Sequence, residues 1–183
     1  MTMSCRITIA ALLIAGTCAL QPVLAAGAHS HGVARLDVAV DGPTITLQLQ
    51  GPLDSLVGFE RAPRNDAERG QVRTMAQALR AGNPFVPTAA ARCRLERVEL
   101  ESTVLAPELL GESGPAAPGK PADDHAEVDG TFVYRCEDAK ALQGIDVMMF
   151  DYFKRLRQVD VQLAGPKGQA AMKLNSRARQ IRW

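Results

Sequence analysis

From Ala34 to Leu49 the chain alternates with a period of two. Ala34, Leu36, Val38 and Val40 are apolar, with Arg35, Asp37 and Ala39 between them. After Asp41-Gly42-Pro43, which reads as a turn, Ile45, Leu47 and Leu49 alternate with Thr46 and Gln48. Successive side chains of a strand point to opposite faces, so this stretch predicts a β-hairpin with one buried face. His29 and His31 fall on the odd-numbered, polar face with Arg35 and Asp37, provided Gly32 does not break the register. Pairing apolar with apolar makes the numbers of facing residues sum to an odd value. Extended further, that pairing sets Asp54 across from His29 or His31. Pro52 opposes the extension, because it has no N–H to give to the ladder.

Residues 65–84 follow a helical period instead. Val72, Met75, Ala76 and Leu79 form one stripe, Asn65 can cap the start with Glu68 completing a capping box, and Gly82 and Pro84 end the element. Cys93 to Leu105 is strand-like, with a slip of phase between Leu95 and Val98 that predicts a β-bulge. Residues 106–125 are rich in Pro, Gly and Ala and show no period, which predicts a flexible loop inside the domain. Val128, Phe132, Tyr134 and Cys136 alternate as a strand, and Glu137 to Gln143 predicts a short helix. Ile145 to Leu156 fits either a strand or a helix. Residues 158–174 read as a second hairpin around Gly165-Pro166-Lys167-Gly168. The order ββα-β-loop-βα-ββ belongs to the α+β class: an antiparallel sheet built from hairpins, with two or three short helices.

The first 26 residues change the picture. Arg6 is followed by an apolar run from Ile7 to Leu20, then by Pro22 and the small residues Ala25 and Ala26. These are the parts of a secretory signal peptide, and the run is shorter than the roughly 20 residues a membrane-spanning helix needs. Cleavage near Ala26 leaves residues 27–183 as a single exported domain with no membrane-spanning segment, placed in the periplasm. It also removes Arg6, so the acidic and basic residues balance, which argues against binding to nucleic acid. Cys5 and Cys18 leave as well. Cys93 and Cys136 remain, one opening a strand and the other closing one. If those strands are antiparallel neighbours, the two thiols meet and can form one structural disulfide in an oxidising compartment. Closing a loop of that length contributes about 4 kcal/mol in the chain-entropy account.

Candidate chemistry is sparse and rests on three histidines. Two imidazoles at i and i+2 of a strand can reach one metal ion, and zinc then needs two more donors, or one donor and a water. The same pair also fits a frayed chain start. His125, in Asp123-Asp124-His125-Ala126-Glu127, joins an imidazole to carboxylates, a set that suits zinc and equally suits a solvated acidic turn. A mature chain starting at Gly27 would offer its amine, two backbone amides and the His29 imidazole as a square-planar copper or nickel site. Cleavage one residue earlier would abolish that site. No Gly-rich loop precedes a helix, and none of the three histidines stands beside a plausible Ser or Cys nucleophile, so the expectation is a protein that is not an enzyme. The tail, with Arg177, Arg179, Arg182 and Trp183, reads as a solvated edge or a contact for a partner.

Five segments, "HSHGVARLDVAVDG", "GPLDSLVGFERAP", "CRLERVELES", "YRCEDAKAL" and "VDVQLAGPKGQAAMKL", resemble in that order the ZrgA-like family of bacterial periplasmic zinc-uptake proteins. The resemblance implies an accessory that binds zinc and serves an uptake transporter or another envelope protein. His29 and His31 match the family's opening pair, His125 a histidine before the strand that ends at Cys136, and Cys93 and Cys136 its cysteine pair. Three departures lower the expected number or strength of sites. The long loop lacks a histidine run, Arg61 follows Glu60 where relatives often have histidine, and Lys154 replaces a common proline. The expected zinc shell is therefore His29 and His31, with His125 from the loop and Asp54, Glu60 or Asp123 completing it. The competing expectation is a protein-interaction module that holds no metal.

Overall fold

The structure is a computed structural model that describes residues 31–113 and 126–183. The hairpin forms as the alternation predicts. Strand β1 (Val33–Asp41) pairs antiparallel with β2 (Thr44–Pro52), with Arg35 facing Gln50 and Asp41 facing Thr44. Ala34, Leu36, Val38, Ile45, Leu47 and Leu49 are all buried on one face. The chain then turns into the short helix α1 (Leu53–Val57), and the longest helix, α2 (Asp66–Arg80), follows. Asn65 caps α2 by accepting from the Glu68 N–H at 2.9 Å. The predicted stripe of Val72, Met75, Ala76 and Leu79 is what α2 buries. The capping box is only half formed, because the Glu68 carboxylate accepts from the Arg64 N–H at 2.7 Å and from Arg61.

Strand β3 (Phe85–Pro87) and a 3-10 turn (Ala89–Ala91) lead into β4 (Cys93–Glu101). Within the expected loop at 106–125, Pro107–Leu110 form a helical turn, α3, that buries Leu110. Glu112 beyond it accepts from the Leu100 N–H of β4 at 2.8 Å and pairs with Arg80 of α2. The loop's next residues, 114–125, lie outside the described residues. Strand β5 (Glu127–Cys136) pairs antiparallel with both β4 and β2, and the β4 register shifts between Leu95 and Arg97, where the bulge was expected. Cys93 faces Cys136 across that ladder, and the two form the disulfide.

The last third departs most from the sequence reading. The helix expected at Glu137–Gln143 is only a 3-10 turn at Ala139–Ala141, because the chain must straighten into β6 (Gly144–Val147). The ambiguous segment is resolved as β6 followed by the helical turn α4 (Met149–Tyr152). Strands β7 (Gln158–Gly165) and β8 (Gly168–Leu174) make the second hairpin. The tail is a largely exposed sheet edge, as expected, but it is anchored by one buried residue. Residues 180–182 form β9 (Gln180–Arg182), and its Ile181 is fully buried against β6.

Two sheets result, ordered β4-β5-β2-β1-β7-β8 and β3-β6-β9. The fold is α+β with a disulfide, and most of its strand pairs are antiparallel hairpin or meander pairs. The exception is β1 with β7, which run parallel. A parallel pair needs a long crossover, and here residues 42–157 lie between the two strands. Among the described residues there are four helices, α2 at 15 residues and three of four or five, where two or three short ones were expected. Phe85 and Phe132 meet edge to face at 4.9 Å between ring centres in the core. The Tyr134 hydroxyl, 3.2 Å from the carbonyls of both Gly82 and Phe85, satisfies its donor there, and burial pushes its pKa up to about 12.

Candidate metal centre

The corner where β1 begins and β2 ends is built by three chain crossings. Gly32 has φ +80°, a left-handed conformation that glycine adopts without strain, so the extended backbone of β1 stops at Val33 and His31 lies in a turn. The proviso on the strand register therefore fails at Gly32, and His31 does not continue the polar face of β1. The turn is pinned on both sides. The Gly32 N–H donates to Ser55 Oγ at 2.9 Å, and its carbonyl accepts from the N–H groups of Arg157 and Gln158 at 2.8 and 3.0 Å. Ser55 is fully buried in α1. The bond from Gly32 thus seats the His31 turn directly on that helix.

Helix α1 places the acid. Leu53 and Leu56 are buried, so Asp54 is turned outward, beside the His31 turn. The β1–β2 ladder ends at Arg35 and Gln50, yet the same offset continued in space brings Asp54 to His31. His31 Nδ1 lies 3.3 Å from Asp54 Oδ2 and 3.3 Å from Glu60 Oε1. The imidazole side chain is 69% exposed, against 21% for Asp54 and 34% for Glu60. Glu60 sits in the loop between α1 and α2, and its neighbour Arg61 holds that loop in place. Arg61 bonds Glu68 of α2 through both terminal nitrogens, at 2.7 and 2.8 Å, and lies over the Phe59 ring at 5.1 Å. The hydrogen bond from Arg61, with that from the Arg64 N–H, draws the Glu68 pKa down to about 2. Arg61, which replaces a histidine common in the resembled family, is thus a structural clamp.

Of the sequence-predicted ligands, the structure brings together His31, Asp54 and Glu60. His29, Asp123 and His125 lie outside the described residues, as do the signal peptide and the copper or nickel site at Gly27-Ala28-His29. One contact bears on the loop. The Leu53 N–H donates to the Ala126 carbonyl at 2.9 Å, so the residue after His125 is bonded to the residue before Asp54. Among the described residues no group of three or more His, Cys, Asp and Glu side chains is by itself arranged to hold a metal ion. Sequence reasoning missed Ser55 and Arg155, whose Nη2 donates to Asp54 Oδ1 at 3.2 Å. Both contacts span long stretches of chain, and no local pattern signals them.

Residues 28–183 match the family described as ZrgA family zinc uptake protein, and the chain belongs to that family. No individually curated protein matches it. No helix among the described residues is long and apolar enough to cross a membrane.

Proposed function

We propose that this protein is a periplasmic accessory of zinc uptake that carries zinc as cargo, gripping it at the β1–α1 corner through His31, Asp54 and Glu60. One further donor completes the four-coordinate shell, from His29, two residues before His31, or from His125 or Asp123, at the end of the loop joined to Leu53. The observation that carries this reading is the convergence of two carboxylates on one imidazole nitrogen. Zinc bonds nitrogen and carboxylate oxygen at about 2.0–2.2 Å with tetrahedral angles, so a nitrogen and an oxygen sharing one ion stand about 3.4 Å apart. The two His31 separations, both 3.3 Å, match that edge. An imidazole hydrogen-bonded between the two acids has the same separations without an ion, and the decisive measurement is of zinc binding itself.

Zinc titration calorimetry on the processed protein provides it. Replacing His31 by alanine, alone and together with His29→Ala, is expected to weaken zinc at least tenfold, the scale of effect seen when a metal site loses a supporting group. Equal affinities for the wild type and the double variant would remove the histidines as ligands. Partner binding that survives chelation would then favour the protein-interaction module.

A further inference from the structure

Asp54 is shared between two neighbours. Its Oδ2 faces His31 at 3.3 Å, and its Oδ1 accepts from Arg155 Nη2 at 3.2 Å. The arginine is not a passing surface residue. Its backbone lies against the His31 turn, where a Cβ built on Gly32 would stand 3.2 Å from the Arg155 carbonyl oxygen. Its side chain then passes over Gly58, the residue that ends α1, where a Cβ would stand 3.4 Å from both Cδ and Nε. Gly58 itself takes φ +92°, the left-handed conformation that closes α1 beneath the arginine.

We propose that Arg155 is a counter-cation that opposes metal binding at this corner and keeps the cargo exchangeable. The proposal rests on the reading of the corner as a zinc site. Two carboxylates offset by one guanidinium leave a single formal negative charge for a dication, and removing the guanidinium leaves two. The guanidinium also occupies Asp54 Oδ1, one of the oxygens that would otherwise be offered to zinc. Asp54 does not need Arg155 to hold its position, because the buried Leu53 and Leu56 on either side already orient the helix that carries it. Arg155 is 60% exposed, so the repulsion acts through a high effective dielectric and its effect is moderate. For a protein that must pass its ion on, moderate opposition to binding speeds release.

The experiment is zinc titration calorimetry on the full processed chain, comparing wild type with Arg155→Gln, Arg155→Lys and His31→Ala. Melting curves in chelator confirm that each variant is folded. Arg155→Gln is expected to bind zinc about tenfold tighter at low salt. That gain should vanish in about 1 M sodium nitrate, where the Debye length falls to about 3 Å. Arg155→Lys keeps the charge and should stay within about twofold of wild type. If Arg155→Gln binds equally or more weakly while His31→Ala still loses affinity, Arg155 does not oppose the ion and the proposal is overturned. If His31→Ala leaves zinc binding unchanged, the corner is not the site and the proposal falls with it, so the two failures are distinguishable.

Discussion

Glu60 and Arg61 are adjacent in the chain and end in two ionic groups of opposite character. Arg61 and Glu68 form a closed set, with two side-chain hydrogen bonds at 2.7 and 2.8 Å and a third to the same carboxylate from the Arg64 N–H. Donors and acceptors match, and the geometry is the planar fork that arginine and carboxylate favour. Glu60, one residue earlier, turns the other way to an exposed imidazole already 3.3 Å from Asp54. In that group the acceptor oxygens outnumber the donors that face them. Two glutamates of the same loop region, Glu60 and Glu68, therefore face different partners. The matched set fixes the loop, while the acceptor-rich set is the one proposed above to take a cation.

Separating fold stability from metal affinity is the way to break this comparison. The largest stability effect is expected from Cys93→Ala/Cys136→Ala, which opens a cross-link spanning 43 residues and should lower unfolding free energy by about 4 kcal/mol. The disulfide joins the end of β5 away from Pro52 and α1, so zinc affinity should stay within about twofold of wild type. A parallel loss in calorimetry would show that the corner is not held independently of the staple.

Ser55→Ala tests the corner's own support. It leaves the Gly32 N–H buried without its acceptor, a cost of about 1–3 kcal/mol in chemical denaturation. It should also weaken zinc severalfold, because the His31 turn loses its seat on α1. Unchanged zinc binding in a folded Ser55→Ala protein would show that the turn is positioned by the Arg157 and Gln158 bonds alone.

The smallest effect, and one that depends on pH, belongs to the clamp. Glu68 is held at about 2 against an ordinary value of 4.5. Its pKa is depressed on folding, so the stability it contributes is present in full above 4.5 and is lost as pH falls toward 2. Wild type should melt above Glu68→Gln near neutral pH, and the gap should close across that acid window. A gap that persists at the acid end would mean the pair stabilises by packing rather than by charge. Zinc affinity near neutral pH should change less in Glu68→Gln than in Ser55→Ala.

How far the sequence could be read varied along the chain for identifiable reasons. Both hairpins, the β4 bulge, the α2 stripe with its Asn65 cap and the Cys93–Cys136 pair follow from patterns with neighbours close in sequence or on an adjacent strand. The Asp54–His31 approach was also accessible, since the hairpin offset sets it, although Gly32 ends the strand before the ladder reaches it. The second sheet was not accessible. Strands β3, β6 and β9 have only three or four residues each, too short for alternation to stand out. The helix read into Glu137–Gln143 failed because the pairing of β6 with β3 and β9 outweighs a weak local preference.

What the sequence alone determined is the local grammar: which residues alternate, where a helix starts and stops, which two cysteines remain to pair, and which family the segments resemble. Folding decided what those elements meet. The parallel seating of β7 beside β1 brings Arg155 to Asp54 across 101 residues of chain, and the Gly32–Ser55 bond sets the imidazole against the acid. Such contacts depend on the closing of long loops and the burial of shared surface, which belong to the whole domain and leave no period in any one segment.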